Sequence, residues 1–443
     1  MSQPLADERL ATNVADPGLD AGSRFVSLGT VLDRTKGIGQ GFDTIRIVLS
    51  ISILCEHSIL VSYGKAVEAS LWLNPISGGP IAALLPVFFA LSGFLVMGSA
   101  VRTASLRTFL AARGLRILPA LATEVTVSAV LLGSLVTTLP PRAYFTDHSF
   151  LRYFGSLTGN IQTWLPGVFS HNPYPNVVNV SLWTITPEVL CYAYIAFIMG
   201  AGLLSRRRGL SLLVAVVTML VIVADLSGFI VRKPENPFLA HTLILAFAVG
   251  NLLFLWRHVV PFSRALFVAC LVVGLALVSH PRLGTVAIPF LVYATIYLGL
   301  LRLPKIPLLD RGDYSYGIYL YAMPVQQSIA FFLPQLREWY WNILLALPIT
   351  IALAMFSWTF IEKPALRLRK RLTGSAERRP DKHVALASPA VLAIFVTYSL
   401  WLSSTQFEIP LLSANRRWLL AALAASVVAA LASNGFGRRL RAA

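Results

Sequence analysis

Twelve apolar stretches, each close to the length of a bilayer crossing, constrain this chain more than anything else in it. They fall at roughly 42–63, 80–100, 117–138, 181–204, 209–231, 237–256, 261–280, 284–302, 314–333, 340–361, 386–405 and 416–434. A helix needs about 20 predominantly apolar residues to cross the hydrocarbon core. Of the 443 residues, 56% are hydrophobic and 13% charged, where a soluble domain carries about a quarter charged. The expected fold is all-α: a polytopic transmembrane helix bundle with a ten-helix core and two C-terminal helices. Ordinary soluble, disordered and disulfide-scaffold classes are excluded. Cys55, Cys191 and Cys270 all lie inside apolar stretches, without a CxxC pair or a Cys/His ligand spacing, so no metal is expected.

A net charge of +17 would suggest nucleic acid if the cations shared one soluble face. They instead punctuate the apolar stretches. With the N-terminus cytoplasmic, 27 of the 37 Lys/Arg fall on the cytoplasmic side and 9 on the other, with Arg46 inside the first stretch. That is the positive-inside pattern, so both termini are expected in the cytoplasm and no nucleic-acid partner is expected. Residues 1–36 read as a polar cytoplasmic segment, without the basic start, apolar run and small-residue cleavage site of a signal peptide. Residues 371–385 read as a basic linker, and 386–443 as an accessory transmembrane hairpin with a basic tail.

The long exterior segment 141–178 gathers Tyr144, Phe145, Phe150, Tyr153, Phe154, Trp164, Phe169 and Tyr174 with several amides. Exposed rings and amides suit sugar recognition, and aromatics also collect wherever a loop lies on the lipid interface. Composition leaves both readings open.

Ionisable residues inside membrane spans are costly and are functional candidates by default. Arg46 and His57 are eleven residues apart, which returns to within about 20° of one helix face with about 16 Å between them. An arginine at the inner edge can hold a phosphate or carboxylate, and a histidine deeper in the bundle can act as a general base. Snorkelling and helix packing would account for the same pair. Glu56 adjoins His57 but points about 100° away. Phe88 to Leu95 places a small Ser92–Gly93 pair in the second span, suited to close approach of a helix or a ligand. Arg113 and Arg116, with Pro119, stand side by side at the cytoplasmic entrance of the third span, as a nucleotide clamp or as inner-face anchors. Glu188 enters the fourth span from outside by about 10 Å, near the inferred depth of His57, where it could orient the imidazole or bind an acceptor hydroxyl.

Taken in order, these segments resemble the acyltransferase-3 family of integral membrane O-acyltransferases. The carriers are Arg46 with His57, the Phe88–Leu95 segment, Arg113 with Arg116 and Pro119, and Ser181-Leu182-Trp183 with Glu188. Ser315, Tyr316, Tyr319 and Leu320 follow, and then Glu362 and Pro364. The resemblance covers 37–370. It implies transfer of an acyl group, acetyl by default, from acyl-CoA to a hydroxyl of an extracytoplasmic glycan, a lipid-linked saccharide or a small product. His57 and Glu188 would then be catalytic, Arg46, Arg113, Arg116 and Ser92 would bind the donor, and Trp183, Tyr316 and Tyr319 would contact substrate. Membrane lipid, acyl-CoA and the hydroxyl acceptor are the implied partners, and a bacterial cytoplasmic membrane the implied location. The sequence departs from the family pattern at Tyr321, where many relatives have histidine, and at Pro187. A transporter or flippase of lipid-linked saccharides is the competing expectation; it predicts no acyl-CoA dependence.

Overall fold

A computed structural model describes residues 26–35, 37, 39–103, 105–229, 240–280, 282–373, 387–407 and 410–442. Most of the expected N-terminal segment 1–36 and of the linker 371–385 lies outside the described residues. The described residues are helical, with isolated bridges and no strand.

Each apolar stretch carries a helix: α1 Phe42–Tyr63, α2 Gly78–Thr103, α3 Leu106–Thr126, α4 Ile185–Gly200, α5 Arg207–Leu226, α6 Ala240–Leu255, α7 Arg264–Val278, α8 Gly284–Leu300, α9 Ser315–Phe332, α10 Trp339–Ser357, α11 Pro389–Gln406 and α12 Arg416–Ala442. Among the described residues, six helical stretches are long and apolar enough to cross a membrane by themselves: Phe42–Tyr63, Gly78–Thr103, Leu106–Val136, Val180–Gly200, Arg207–Leu226 and Trp339–Leu368. Three shorter apolar helices, α6, α7 and α8, accompany them. The outward face of α5 exposes Leu212, Leu213, Met219, Leu220 and Val223. A face of that composition is stable against lipid rather than water.

Packing is set by small residues and by amides. A Cβ on Gly93 would meet the Phe247 carbonyl oxygen at 2.1 Å, and one on Gly250 would meet the Ala90 oxygen at 2.5 Å. Helices α2 and α6 therefore touch backbone to backbone, which small residues permit in a membrane. Of the two readings open to the Ser92–Gly93 pair, close approach of a helix or of a ligand, Gly93 takes the first. Helix α9 carries two amides that tie it to its surroundings, Gln326 to α1 and Gln327 to segment 141–178. Gln326 Nε2 donates to Leu54 O (2.8 Å), and Gln327 Nε2 donates to Tyr174 O and Val177 O (both 2.8 Å).

The exterior segment 141–178 departs from the expected display of aromatics. It folds into short helices, Pro141–Thr146 and His148–Tyr153, followed by a 3-10 turn. Tyr144, Tyr153 and Phe169 are fully buried within it, while Trp164 remains 44% exposed. The rings pack edge to face, as in Tyr144–Phe150 and Phe150–Phe154. Composition could not separate a surface of rings from a small core of rings, and here most of them form the core. Helix α11 lies against this segment and α4: Gln406 Nε2 donates to Asn160 Oδ1 (2.7 Å), and Ala387 N donates to Gly200 O (2.9 Å).

Candidate active site

The site is built from α1, α2, α3, α4 and α9, with the loop before α9 and the end of α10. Helix α1 supplies both Arg46 and His57, so the helical repeat alone places them on one side of the bundle. At the Arg46 end of the site, Arg116 Nη2 donates to Asp313 Oδ2 (2.6 Å) and Arg116 Nη1 to Glu362 Oε2 (3.0 Å). Arg46 Nη1 lies 3.5 Å from the same Asp313 oxygen. Glu362 reaches this cluster because a π-helical turn, Trp358–Glu362, extends α10. Such turns recur at functional sites. Burial by itself would push the Asp313 carboxyl up, but Arg116 and Arg46 outweigh it and hold the group below the usual carboxylate range.

Two guanidinium donors in this region have no acceptor: Arg46 Nε and Arg113 Nε are buried without a partner. The Arg113 guanidinium sits 5.8 Å from the Tyr192 ring centre and 6.0 Å from that of Phe109. Arg46 sits over Phe88 at 5.9 Å. Buried cationic donors left unpaired are costly, so each of these Nε groups is free to take an anionic acceptor.

Glu188 stands in the first turn of α4. It accepts a hydrogen bond from Tyr192 (2.6 Å) and lies within electrostatic reach of Arg116, Arg46 and Arg113. Its hydrogen-bond partner is Tyr192, on the arginine side of the site; of the two roles open to it, orienting the imidazole or binding an acceptor hydroxyl, this geometry does not supply the first. His57 has other neighbours. Its Nδ1 is 3.4 Å from Ser181 Oγ, and its Nε2 is 3.5 Å from Glu56 Oε2. Glu56, which the helical repeat points away from His57, is nonetheless within 3.5 Å of its ring.

The remaining expected residues divide as follows. Ser92 is buried on α2 next to the packing glycine. Trp183 is half-buried in the 3-10 turn Val180–Thr184. The Tyr316 hydroxyl donates to Ile117 O (3.2 Å), and its ring lies 5.3 Å from the Arg116 guanidinium. The Tyr319 hydroxyl donates to Ser181 O (2.9 Å) and pairs with Thr184 Oγ1 (2.7 Å). Phe88 joins Arg46 to Tyr319, the two rings lying 6.2 Å apart, and the Tyr319 hydroxyl reaches Ser181, the residue beside His57. Tyr321, at the position of departure, donates to Ser357 Oγ (2.9 Å), which in turn reaches Glu362 Oε1 (3.1 Å). It is thereby joined to the arginine cluster.

Asp313, Glu124 and Asn179 were missed by sequence reading. Asp313 precedes the Ser315 segment, but only its distance to Arg116, 197 positions away in sequence, discloses its role. Among the described residues, no group of three or more His, Cys, Asp and Glu side chains could hold a metal ion.

Comparison with known proteins identifies the family. The sequence model of the acyltransferase-3 family, described as an acyltransferase domain, matches residues 40–361. The chain is 29% identical over 386 residues to nodulation protein 10 of Rhizobium leguminosarum bv. viciae, covering 78% of this chain and 98% of that protein. It is 27% identical over 330 residues to the O-acetyl transferase of Shigella phage Sf6, covering 73% of this chain and 94% of that one. No solved structure matches. The family match spans well over half the chain and contains every residue of the site except Glu362, so this protein belongs to the acyltransferase-3 family and is a multi-pass membrane O-acyltransferase.

Proposed function

We propose that the protein transfers an acyl group, acetyl in the simplest case, from acyl-CoA on the cytoplasmic side to a hydroxyl of a glycan or lipid-linked saccharide on the opposite side. In this scheme all twelve helices cross a bacterial cytoplasmic membrane with both termini inside. The observation that carries the reading is the pair of buried, unpartnered guanidinium donors, Arg46 Nε and Arg113 Nε, at the foot of the helix that carries His57 about 16 Å further along its axis. Arginines suit phosphate because their planar donors fit its oxygens, and the spacing suits an extended donor whose thioester reaches the histidine.

A hydroxyl is a poor nucleophile near neutral pH, so a base must take its proton as it attacks. His57 takes that proton, the acceptor oxygen bonds to the thioester carbonyl carbon, and the carbon–sulfur bond breaks. The thiolate leaves and receives the proton from the imidazolium, so no proton is gained or lost overall. Glu56, 3.5 Å from Nε2, stands beside the imidazolium that forms. The similarity to a phage O-acetyl transferase supports acetyl as the group moved.

The test uses the purified protein in liposomes with radiolabelled acetyl-CoA and an envelope glycan extract, comparing wild type with Arg46→Ala. Label moves to glycan in wild type, and the donor KM rises at least about tenfold in the variant, on the scale of one lost charge-assisted contact. Saccharide translocation without acetyl-CoA binding or turnover would replace this reading with the transporter.

A further inference from the structure

Glu124 takes no part in the chemistry above, yet it is 2% exposed and stands deep in the third span. It lines a groove of about 400 Å3 with Ser128, Tyr321, Pro324, Ile329 and Leu353, immediately before the π-helical turn Val127–Leu132. What it holds leads back to the histidine. Pro324 has no N–H, so the Leu320 carbonyl one turn earlier loses its helical donor. Asn179 Nδ2 donates to that carbonyl (2.9 Å) and also to Glu124 Oε1 (2.9 Å). The other side of the amide, Asn179 Oδ1, accepts from Ser181 N (3.1 Å). Turning the amide over would set its oxygen against two other acceptors, so its orientation is fixed. Ser181 is then pinned at both backbone groups, by Asn179 at its N–H and by Tyr319 at its carbonyl (2.9 Å). Its Oγ faces His57 Nδ1 at 3.4 Å.

We propose that Glu124 and Asn179 are positioning residues for acyl transfer, acting through Ser181 to hold the His57 ring in its working orientation. The proposal rests on the reading of His57 as the base. The alternative use of Glu124, a purely structural tie between α3 and the exterior segment, would make every substitution act through stability alone. A positioning chain has a different signature. It is serial, so removing its first member and its second together costs no more than removing the second.

The experiment measures kcat and acetyl-CoA KM in liposomes for wild type, Glu124→Ala, Glu124→Gln, Asn179→Ala and the double variant Glu124→Ala/Asn179→Ala, with melting temperature in detergent as the control for folding. Glu124→Ala and Asn179→Ala each lower kcat about 10- to 100-fold, the usual size for a group that orients a reacting one, with the donor KM within about twofold. Glu124→Gln keeps an oxygen for Asn179 and for the Ser128 hydroxyl, and restores kcat to within about threefold of wild type. The double variant matches Asn179→Ala, where independent effects would multiply. If Glu124→Ala proves unstable, Glu124→Met fills the same volume without an acceptor and carries the test. Unchanged kcat in a folded Glu124→Ala or Glu124→Met, or multiplying losses in the double variant, overturns the proposal while the activity of wild type leaves the function intact. An inactive wild type, by contrast, overturns the reading of the function on which the proposal stands.

Discussion

Removing the Arg116 side chain by Arg116→Leu is expected to destabilise the protein strongly, and the geometry sets the size of the effect. Arg116 holds Glu362 at 3.0 Å and Asp313 at 2.6 Å, with side-chain exposures of 16%, 2% and 29%. At 3.0 Å and an effective dielectric constant near 20, one such pair is worth about 5 kcal/mol of direct attraction, most of it offset by desolvation. Loss of one partner of a buried pair leaves the other charge uncompensated, which costs about 3–5 kcal/mol. Asp313 keeps Arg46 and suffers less, so Glu362 carries the penalty. For a chain of 443 residues the melting temperature should fall by about 3–5 °C. The free thiols report it directly, because Cys191 and Cys270 are buried and Cys55 partly so, and a thiol-reactive fluorophore labels them on unfolding. Adding Glu362→Gln to the same chain removes the stranded charge and should recover about half of the loss. Melting of Arg116→Leu within about 1 °C of wild type, or equal melting of the single and double variants, would refute the buried-triad reasoning.

Asp313→Asn should lower the melting temperature at neutral pH and converge with wild type only below about pH 4. A carboxyl held below its unfolded value contributes stability above that value and loses it as pH falls through the folded one. A gap between the two melting curves that closes already between pH 8 and 5 would contradict this. Gly93→Ala drives a Cβ to 2.1 Å from Phe247 O, whereas at Gly114 the nearest atom is 3.9 Å away. The first substitution should cost at least about 1–3 kcal/mol and the second should be neutral or gain up to about 1 kcal/mol, measured as melting shifts. Tyr144→Phe, which deletes the hydrogen bond from segment 141–178 to Ala129 O (2.7 Å) in the π-helical turn Val127–Leu132, should lower stability by about 1 kcal/mol without changing kcat. Arg46→Lys keeps the charge but loses the fork, and donor binding assayed by calorimetry should weaken about tenfold.

How much of this was legible in the sequence depends on the range of the interaction concerned. Arg46 and His57 could be placed on one face because the helical repeat is local arithmetic, and the twelve apolar stretches each hold a helix for the same reason. Glu362 could be noticed as part of a motif, but its pairing with Arg116, 246 positions away, follows only from how α3 meets the end of α10. Glu188 was placed near His57 by depth alone. Depth says nothing about azimuth, and its neighbour proves to be Tyr192 on its own helix. Asn179 belongs to none of the motifs read from the sequence, and nothing local reveals that Pro324 frees the carbonyl it binds. The exterior aromatics misled because the same rings serve a surface or a small core, and only their mutual packing tells which.

The central claim, that His57 is the base of an acyl transfer, is tested most directly by His57→Gln in liposomes with radiolabelled acetyl-CoA and glycan acceptor, alongside acetyl-CoA binding to the same preparation. The expected result is transfer reduced at least about 100-fold, the scale of a lost general base, with donor binding and melting temperature retained. A folded His57→Gln protein that still transfers acetyl within about tenfold of wild type would contradict the account, because no proton acceptor at that position could then be doing the chemistry.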